Sequence, residues 1–438
     1  MPRIAVIGAG ISGLSAAWQL SASGSPTDVT LFEAGRHFGG HANTVDVTID
    51  GVTHGVDTGF LVYNERTYPG LIALFNELGV VRSPSEMSFS VQSPQAAKGN
   101  EQAAIEWSGN SLDTVFAQRR NLLSPRFWSM LRDILRFNKL TTALATSGAA
   151  EALAQPIGAF LDQHHFGTPF RDDYFLPMVA CIWSCPTEQM LRFPMATMIR
   201  FCHNHGLLQV SNRPQWYTVT GGSREYVRKM LPRLSDARLN TPVTAVSRLA
   251  HGVIVHTAKG PEPFDGVVMA CHSDQALAML GSQATPRERE LLGAIRYQAN
   301  RAVLHTDTSM LPQRRKAWAA WNYERAPQQG RGASRVCLHY LINLLQPLPW
   351  DQSVVVSLNP VREPNADQVL REFEYAHPVF DQAAIDAQKA LPSIQGLAHT
   401  WYAGAWCGYG FHEDGLQAGL NAAQLIQQQH RAHTRQAA

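Results

Sequence analysis

A glycine-rich turn near the start of the chain constrains the fold more than any other feature. Residues 3–7 form a short apolar run rich in β-branched side chains, and Gly8, Gly10 and Gly13 follow in GxGxxG spacing, with a helical Ala/Leu pattern continuing to residue 20. This order of strand, tight turn and helix places unpaired amide groups at the positive end of a helix, where a pyrophosphate group binds. The sequence therefore predicts a dinucleotide-binding βαβ unit.

The next strand supports this prediction. Residues 29–32 are apolar and end at Glu33, which stands 20 residues after Gly13. A carboxylate at this distance accepts hydrogen bonds from ribose hydroxyls in βαβ dinucleotide folds. Ser12, within the same turn, is a further predicted contact to the cofactor. The alternative is a purely structural turn followed by a glutamate without a role. This alternative is disfavoured because the strand, the glycines, the helix and the acid all fit the dinucleotide-binding pattern.

The overall composition excludes several classes of protein. The 438 residues are 45% hydrophobic and 16% charged, which is typical of a globular chain with two or three domain-sized units. The net charge of +2 gives no basic field for nucleic acid, so no nucleic-acid partner is predicted. No apolar stretch approaches the roughly 20 residues that cross a bilayer, and the start lacks a cleavable apolar run.

The cysteines indicate a reducing compartment, and we expect a cytoplasmic location. The six residues, Cys181, Cys185, Cys202, Cys271, Cys337 and Cys407, form no CxxC pair and have no regular spacing. Cys181 and Cys185 are four residues apart and can meet on one helix face, but their neighbourhood lacks further ligands at suitable spacing. Buried free thiols are the predicted state, and no metal site is predicted.

The segment after Glu33 points to a particular cofactor. Residues 33–41, read EAGRHFGGH, resemble the segment of flavin amine oxidases, phytoene desaturases and protoporphyrinogen oxidases that continues along bound FAD. The resemblance implies FAD as the cofactor, with Gly39, Gly40 and His41 beside it. Residues 56–60, read VDTGF, look like the family's DxG segment near the flavin, which implies contacts from Thr58 and Gly59. Many relatives have arginine where Gly35 and His41 stand here.

Two later segments are also similar to this superfamily. Residues 216–225, read WYTVTGGSRE, resemble the strand and double glycine that return the chain to the FAD domain, and Val243 matches the position whose backbone meets the adenine. Residues 403–423 match the closing signature, in which a helix starting near Gly415 points its positive end at the flavin. The family residues implied there as flavin contacts are Gly404, Phe411, His412, Glu413 and Gly415. Ala405 replaces the usual acid of this segment.

The resemblance implies an α/β fold, α+β overall, with a Rossmann-like FAD-binding domain and an inserted substrate-binding domain. The FAD-binding domain is expected to be discontinuous and to comprise residues 1–62, 215–292 and 396–428. The substrate-binding domain is expected to comprise residues 63–214 and 293–395. Residues 429–438 read as a flexible polar tail.

Two segments of the first insertion have apolar patterns with more than one interpretation. Residues 124–140 combine apolar residues at helical spacing with four Arg or Lys residues, which suits either an interfacial membrane helix or a helix covering the substrate-domain core. We favour the core-covering interpretation. Residues 175–192 are rich in Met, Cys, Ile and Trp, and they suit plain core packing or the wall of an apolar substrate cavity.

The residues for catalysis are weakly defined, because the flavin performs the redox chemistry in this superfamily. Arg301 stands nearest to the position where amine oxidases carry a lysine beside the flavin, and it is one predicted catalytic residue. His412 is the other, as a proton carrier, with His305 as a further candidate. Phe411 is the one aromatic residue at the positions of the family's amine-caging pair, and these departures argue against a standard amine oxidase.

The predicted function is an FAD-dependent oxidoreductase that removes a hydride from a hydrophobic or lipid-like substrate. Three alternatives remain open at this stage: a redox-neutral isomerase of a fatty acyl or polyene substrate, an amine oxidase, and a non-catalytic FAD-bound subunit. A lipid substrate adds the expectation of peripheral contact at the inner face of the membrane. The sequence does not indicate an oligomeric state.

Overall fold

The computed structural model describes residues 1–22, 27–93, 105–149, 153, 155–183, 187–209, 213–325 and 336–437, so Cys185 lies outside the described residues. Within them the strands β1 to β20 are, in order, Arg3–Ile7, Asp28–Phe32, Thr44–Ile49, Val52–Asp57, Tyr63–Asn64, Arg82–Ser85, Phe89–Ser93, Ile105–Ser108, Trp216–Val219, Asp236–Arg238, Val243–Leu249, Gly252–Thr257, Gly260–Phe264, Gly266–Met269, Arg296–His305, Trp321–Glu324, Cys337–Leu341, Val355–Leu358, Val369–Val379 and Thr400–Tyr402. The helices α1 to α15 are Ile11–Leu20, Pro69–Leu78, Leu112–Val115, Pro125–Thr146, Ile157–Gln163, Thr168–Phe170, Leu176–Trp183, Thr187–Met190, Met195–Asn204, Arg224–Met230, Ser273–Leu280, Pro286–Gly293, Ile342–Leu345, Gln382–Ala390 and His412–Ala437. None of the described helices combines the length and the apolar character needed to cross a bilayer.

A five-stranded parallel sheet has the strand order β10-β2-β1-β14-β20. Its central strands β1 and β14 are apolar and buried, as expected for parallel strands covered on both faces. Its strands come from each of the three chain segments, 1–62, 215–292 and 396–428, that the sequence assigns to the FAD-binding domain. The predicted α/β class with a Rossmann-like unit is confirmed.

Helix α15 packs directly on α1, beside the dinucleotide turn. A Cβ atom on Gly419 would lie 2.1 Å from the carbonyl oxygen of Ser12, so the two backbones meet without room for a side chain. The hydroxyl of Ser15 donates to the carbonyl of Leu416 at 3.1 Å. The helix begins at His412, one turn earlier than the predicted start near Gly415.

The end of the chain belongs to the last helix. Residues 429–437, expected as part of a flexible tail, continue α15 to Ala437. No Gly or Pro occurs between Gly419 and Ala437, and Ala, Gln and Arg are favourable helix formers. Polar composition therefore did not mark the end of the helix.

A second, seven-stranded sheet has the order β19-β15-β18-β17-β16-β7-β8. Both insertions contribute to it, since β7 and β8 lie in residues 63–214 and the other five strands lie in residues 293–395. Strand alternation gives the sheet two different faces. Tyr340 and Val356 face a large cavity, whereas His339 and Ser357, their neighbours along β17 and β18, point to the opposite side.

Helices α4 to α9 enclose a hydrophobic cluster of their own, in which Phe137, Phe160, Phe170 and Phe175 are fully buried. Helix α4 begins after Ser124, whose hydroxyl accepts a hydrogen bond from the amide of Phe127 at 3.3 Å. Phe127, Met130 and Phe137 form its buried face. The prediction that residues 124–140 cover the substrate-domain core is confirmed for this face.

Candidate active site

A cavity of about 780 Å³ lies between the parallel sheet and the seven-stranded sheet. The predicted cofactor residues that line it are Gly8, Gly10, Ser12, Glu33, Gly39, Gly40, His41, Thr58, Gly59, Val243, Gly404, Phe411 and His412. Lining residues from segments 63–214 and 293–395 include Met87, Cys181, Ile182, Trp183, Phe201, His205, Leu207, Trp321, Tyr340, Val356, Leu358, Tyr375 and His377. The fold thus brings residues from distant parts of the sequence to one wall.

The glycines after β1 serve different purposes. Gly8 has a φ of +102°, and a Cβ atom there would lie 2.7 Å from the carbonyl oxygen of Ala270. A Cβ atom on Gly13 would lie 1.7 Å from the carbonyl oxygen of Gly8, so Gly13 permits helix-to-turn packing and does not line the cavity. A Cβ atom on Gly10 would meet no protein atom within 4 Å. Gly10 therefore leaves open space at the N-terminus of α1, where a pyrophosphate group can approach the backbone.

Glu33 follows β2 directly and joins two loops of the wall. Its Oε2 accepts the amide of Ala9 at 2.8 Å and its Oε1 accepts the amide of Gly35 at 2.7 Å. Gly40 has a φ of +58°, and its Cβ position lies 3.1 Å from the Cα atom of Gly10. The carboxylate is thus held at the cavity beside the glycine turn, where its remaining lone pairs can accept hydrogen bonds from hydroxyl groups.

The segment with the DxG pattern holds the wall together. The buried carboxylate of Asp57 accepts the amide of Ser223 at 2.9 Å, which ties this segment to the double-glycine turn before α10. Burial raises the pKa of Asp57 to about 6. Thr58 donates to the carbonyl of Asn43 at 3.0 Å, and its oxygen lies 2.8 Å from the hydroxyl of Tyr375.

His41 presents an unpaired polar atom to this region. Its ring stacks on Tyr375 with 5.0 Å between centroids and lies 5.4 Å from His377. Its buried Nε2 has no hydrogen-bond partner among the described residues. Burial, together with the charge that His377 would carry, lowers the pKa of His41 to about 3, so the ring is neutral at pH 7. A buried polar atom without a partner is costly, and a polar ligand in the cavity would satisfy it.

His412 lines the cavity at the first residue of α15. Its ring stacks on Phe60 with 3.8 Å between centroids, and its Nε2 lies 2.9 Å from the hydroxyl of Tyr226. Burial lowers its pKa to about 3. The adjacent Phe411 stacks on Phe201 of α9, with 4.9 Å between ring centroids.

Glu413 does not line the cavity and has a different partner. Its two carboxylate oxygens accept the amides of Gly70 and Leu71, each at 2.9 Å, at the N-terminus of α2. The predicted cofactor contact of Glu413 is therefore replaced by a helix cap. Gly415 also lies off the cavity, because it packs against Ile11 and Ser12 of α1.

Arg301 was predicted as a catalytic residue, but it does not reach the cavity. Its guanidinium lies outside the cavity and pairs with Glu363 and Glu372, each at 2.8 Å. These carboxylates, Glu372 first, raise the pKa of Arg301. The pairing of β15 with β19 supplies one of these acids, which the linear sequence did not indicate. His305 also lies away from the cavity, where its Nε2 bonds the hydroxyl of Ser357 at 2.7 Å.

Residues 11–317 match the family model of flavin containing amine oxidoreductases. The chain belongs to this family. The family's cofactor is FAD, and the open face of Gly10, the position of Glu33 and the unpaired Nε2 of His41 fit such a group. Bound FAD supplies a two-electron acceptor. The family assignment makes this flavoprotein an FAD-dependent oxidoreductase.

Solved structures support the same fold. Over 98% of both chains, the flavoprotein is similar to the CLA-producing fatty acid isomerase from P. acnes, with 17% identity and a TM-score of 0.66. Cyclohexylamine oxidase from Brevibacterium oxydans IH-35A has 16% identity and a TM-score of 0.66 over 98% of this chain and 99% of that one. Putrescine oxidase bound to putrescine has 15% identity and a TM-score of 0.65 over 97% and 98% of the two chains. No curated protein sequence matches the flavoprotein.

Three polar residues of the wall, His205, Tyr375 and His377, were not predicted from the sequence. The Nδ1 of His205 lies 2.9 Å from the carbonyl oxygen of Phe201, and the Nδ1 of His377 lies 2.7 Å from the side-chain Nδ2 of Asn300. Burial lowers the pKa of both histidines to about 4. The one local signal for a cavity residue was His377 itself, next to Pro378 in a polar strand. Such a pattern does not distinguish a residue that lines a cavity from an exposed one.

Proposed function

We propose that this flavoprotein removes a hydride from a carbon atom of an apolar, acyl-like substrate. The composition of the cavity wall carries the proposal. Ile182, Trp183, Leu207 and Leu358 are among its substrate-domain residues. The described lining residues include no Lys or Arg, and Glu33, which follows β2, is their sole carboxylate. Such a wall removes an alkyl chain from water and provides no counter-ion for a charged substrate.

The same wall disfavours an amine as the substrate. An alkylamine is cationic near pH 7, and burying a cation without a partner is costly. The histidines of the wall are neutral at that pH because their pKa values are lowered, and neutral imidazoles do not replace a carboxylate. An amine oxidase is therefore less favoured.

His205 is the residue that we assign to proton transfer in a desaturation, in which a proton leaves the carbon next to the one that loses the hydride. A carbonyl oxygen only accepts hydrogen bonds, so the Nδ1 of His205 donates to Phe201 and the Nε2 keeps its lone pair. The lowered pKa keeps this lone pair free at pH 7. The same burial makes this imidazole a weaker base than a free one, so the assignment rests on its place in the wall and on its open Nε2.

Anaerobic mixing of the FAD-loaded protein with an uncharged fatty acyl ester tests the proposal. Methyl palmitate, methyl oleate and an alkylamine of equal chain length form the substrate set, and flavin absorbance is followed together with the products. We expect bleaching with an acyl ester and none with the amine. Bleaching by the amine alone would contradict the proposed substrate class.

A matched pair of variants tests the role of His205. His205→Gln should slow flavin reduction by about 10²-fold or more while FAD content stays unchanged, because a positioned base contributes about that factor. His203→Gln, on the neighbouring turn and outside the cavity, is the control. Equal rates in the two variants would remove His205 from the reaction.

A redox-neutral isomerase is the second candidate, because the apolar wall suits a fatty acyl substrate and a fatty acid isomerase has the same fold. At 17% identity this likeness concerns the fold, so the products must decide. An isomerase would move the double bond of an unsaturated fatty acid without lasting bleaching. A non-catalytic FAD-bound subunit would produce neither result.

The outer face of α4 and the turn before it support peripheral contact with an anionic membrane. Leu123 is 90% exposed, Leu135 is 61% exposed and Trp128 is 49% exposed, although these are large apolar side chains. Arg132 is exposed between Trp128 and Leu135 on the same helix face, and Lys139 follows one turn later. Apolar side chains entering the headgroup boundary and cations meeting anionic lipid are the combination that interfacial helices use.

Vesicle co-sedimentation tests this contact. The wild type should bind anionic vesicles at low salt, bind them less at high salt, and ignore zwitterionic vesicles. Leu123→Ser with Trp128→Ser, and separately Arg132→Glu, should weaken binding with FAD content unchanged. Arg136 is a poorer test site than its exposure suggests, because it bonds the carbonyl of His164 at 2.9 Å. Leu249→Ser, at a half-exposed leucine on β11, is the control, and a wild type that ignores anionic vesicles would contradict the contact.

A further inference from the structure

Three metal-ligating side chains meet on the face of the seven-stranded sheet that points away from the cavity. Glu324 on β16 stands directly opposite Cys337 on β17, and His339 follows two residues later on the same strand face. All three residues are buried, with at most 2% of each exposed. Their neighbours Trp321 and Tyr340 line the cavity on the other side of the same strands.

The ligand atoms of these residues are closely spaced. The Nε2 of His339 lies 2.9 Å from Oε2 of Glu324 and 3.4 Å from Sγ of Cys337, and all three atoms lie within 4.8 Å of one another. Zinc bonds of about 2.0 Å to nitrogen or oxygen and 2.3 Å to sulfur place tetrahedral ligands roughly 3.3–3.6 Å apart. Movements of about 1 Å therefore bring the three atoms to zinc-binding distances.

The remaining polar atoms of the ligands have their own partners. The Nδ1 of His339 lies 2.6 Å from the hydroxyl of Ser357, which also lies 2.7 Å from Nε2 of His305. Arg362 donates to Oε1 of Glu324 at 3.4 Å, so Oε2 faces the other two ligands. Metal-binding histidines and carboxylates usually have such outer partners, which set the ring orientation and tautomer.

The hydrogen bonds around Ser357 are compatible with a metal on Nε2 of His339. The amide of Asp307 donates to Nδ1 of His305, so the proton of a neutral His305 is on Nε2 and is donated to Ser357. A metal-bound His339 carries its proton on Nδ1 and donates it to the same hydroxyl oxygen. That oxygen has two lone pairs and can accept both bonds.

We propose that Glu324, Cys337 and His339 form a zinc site that joins β16 to β17. Binding converts the Cys337 thiol to a thiolate and displaces the proton that Nε2 of His339 shares with Glu324. Both protons are released to solvent, and water completes the tetrahedral coordination. The site would fix the two strands that present Trp321 and Tyr340 to the cavity. It lies beyond the residues 11–317 that match the family model, and it does not depend on the proposed substrate.

Metal analysis of the FAD-loaded protein tests the site. The wild type, incubated with ZnCl₂ and then freed of unbound metal by gel filtration, should retain one zinc per chain. Cys337→Ser and His339→Gln should retain less than a tenth of that amount, whereas Cys407→Ser, at a cysteine outside the cluster, should retain all of it. Ser357→Ala should weaken zinc affinity about 10- to 100-fold, because it removes the outer partner of His339. FAD content reports whether each variant is folded.

Two results would overturn the proposal. One is a wild type that retains no zinc, which would leave the three residues as a buried hydrogen-bonded cluster. The other is Cys337→Ser with as much zinc as the wild type. If the variants lose FAD and fail to fold, the difference spectrum between cobalt-loaded and zinc-loaded wild type decides. A thiolate-to-cobalt charge-transfer band supports the site and its absence refutes it.

Discussion

Gly10 and Gly13 belong to one motif, yet the structure gives them different constraints. The Cβ position of Gly10 points into open space, so Gly10→Val should fold and lose FAD, because the new side chain occupies the space where the cofactor's phosphates approach. Gly13→Ala should instead destabilise the protein, since its Cβ would overlap the carbonyl of Gly8. FAD content and urea unfolding measure the two effects.

The control for this pair is Gly293→Val at the end of α12, where the nearest atom to a new Cβ would be a leucine methyl at 3.8 Å. It should retain both FAD and stability. Full FAD retention by Gly10→Val would contradict the location of the pyrophosphate group.

A substitution at Glu33 tests the predicted contact with the ribose. Glu33→Gln should weaken FAD binding by roughly 1 to 3 kcal/mol, the range for a hydrogen bond to a charged group. Part of this loss would come from weaker contacts to the loops of Ala9 and Gly35. Glu33 accepts these two amides with two carboxylate oxygens, whereas Gln has one side-chain carbonyl oxygen. Equilibrium titration of the apoprotein with FAD measures the change. An unchanged affinity would contradict the assignment.

At the scale of elements, α2 and α15 are joined by a side chain. Because Glu413 accepts two amides at the N-terminus of α2, Glu413→Ala should lower the free energy of unfolding by about 0.5 to 2 kcal/mol and leave FAD content unchanged. Glu290→Ala, at an exposed glutamate of α12, is the control and should have little effect. Loss of FAD without loss of stability would restore the cofactor role.

At the scale of the whole molecule, buried histidines make stability depend on pH. Burial lowers the pKa to about 3 for His41 and His412 and to about 4 for His205 and His377. Unfolded histidines have a pKa near 6.5, so between about pH 6.5 and 4 the unfolded chain binds protons that the folded chain does not. Stability should therefore fall as the pH is lowered through this window, by about 1.4 kcal/mol per pH unit for each histidine.

Two carboxyl groups act in the opposite direction. Burial raises the pKa of Asp57 and Asp414 to about 6, so these groups take up protons in the folded protein and reduce the acid effect. The urea midpoint, measured from pH 7 to 5, should still fall because the histidines outnumber them. His412→Gln should reduce the slope by about one proton, and a midpoint that rises toward pH 5 would contradict the account.

The glycine turn, the acid after β2 and the family segments could be read from the sequence, because their spacing follows from local backbone geometry and a ligand bound beside it. Tertiary structure decided the rest, since it depends on contacts between distant residues. Strand pairing placed Arg301 beside Glu372 and outside the cavity, and the packing of α2 against α15 gave Glu413 amide partners in place of a cofactor. Glu324 is 13 residues from Cys337 in sequence, and the register of β16 with β17 is what brings it to Cys337 and His339.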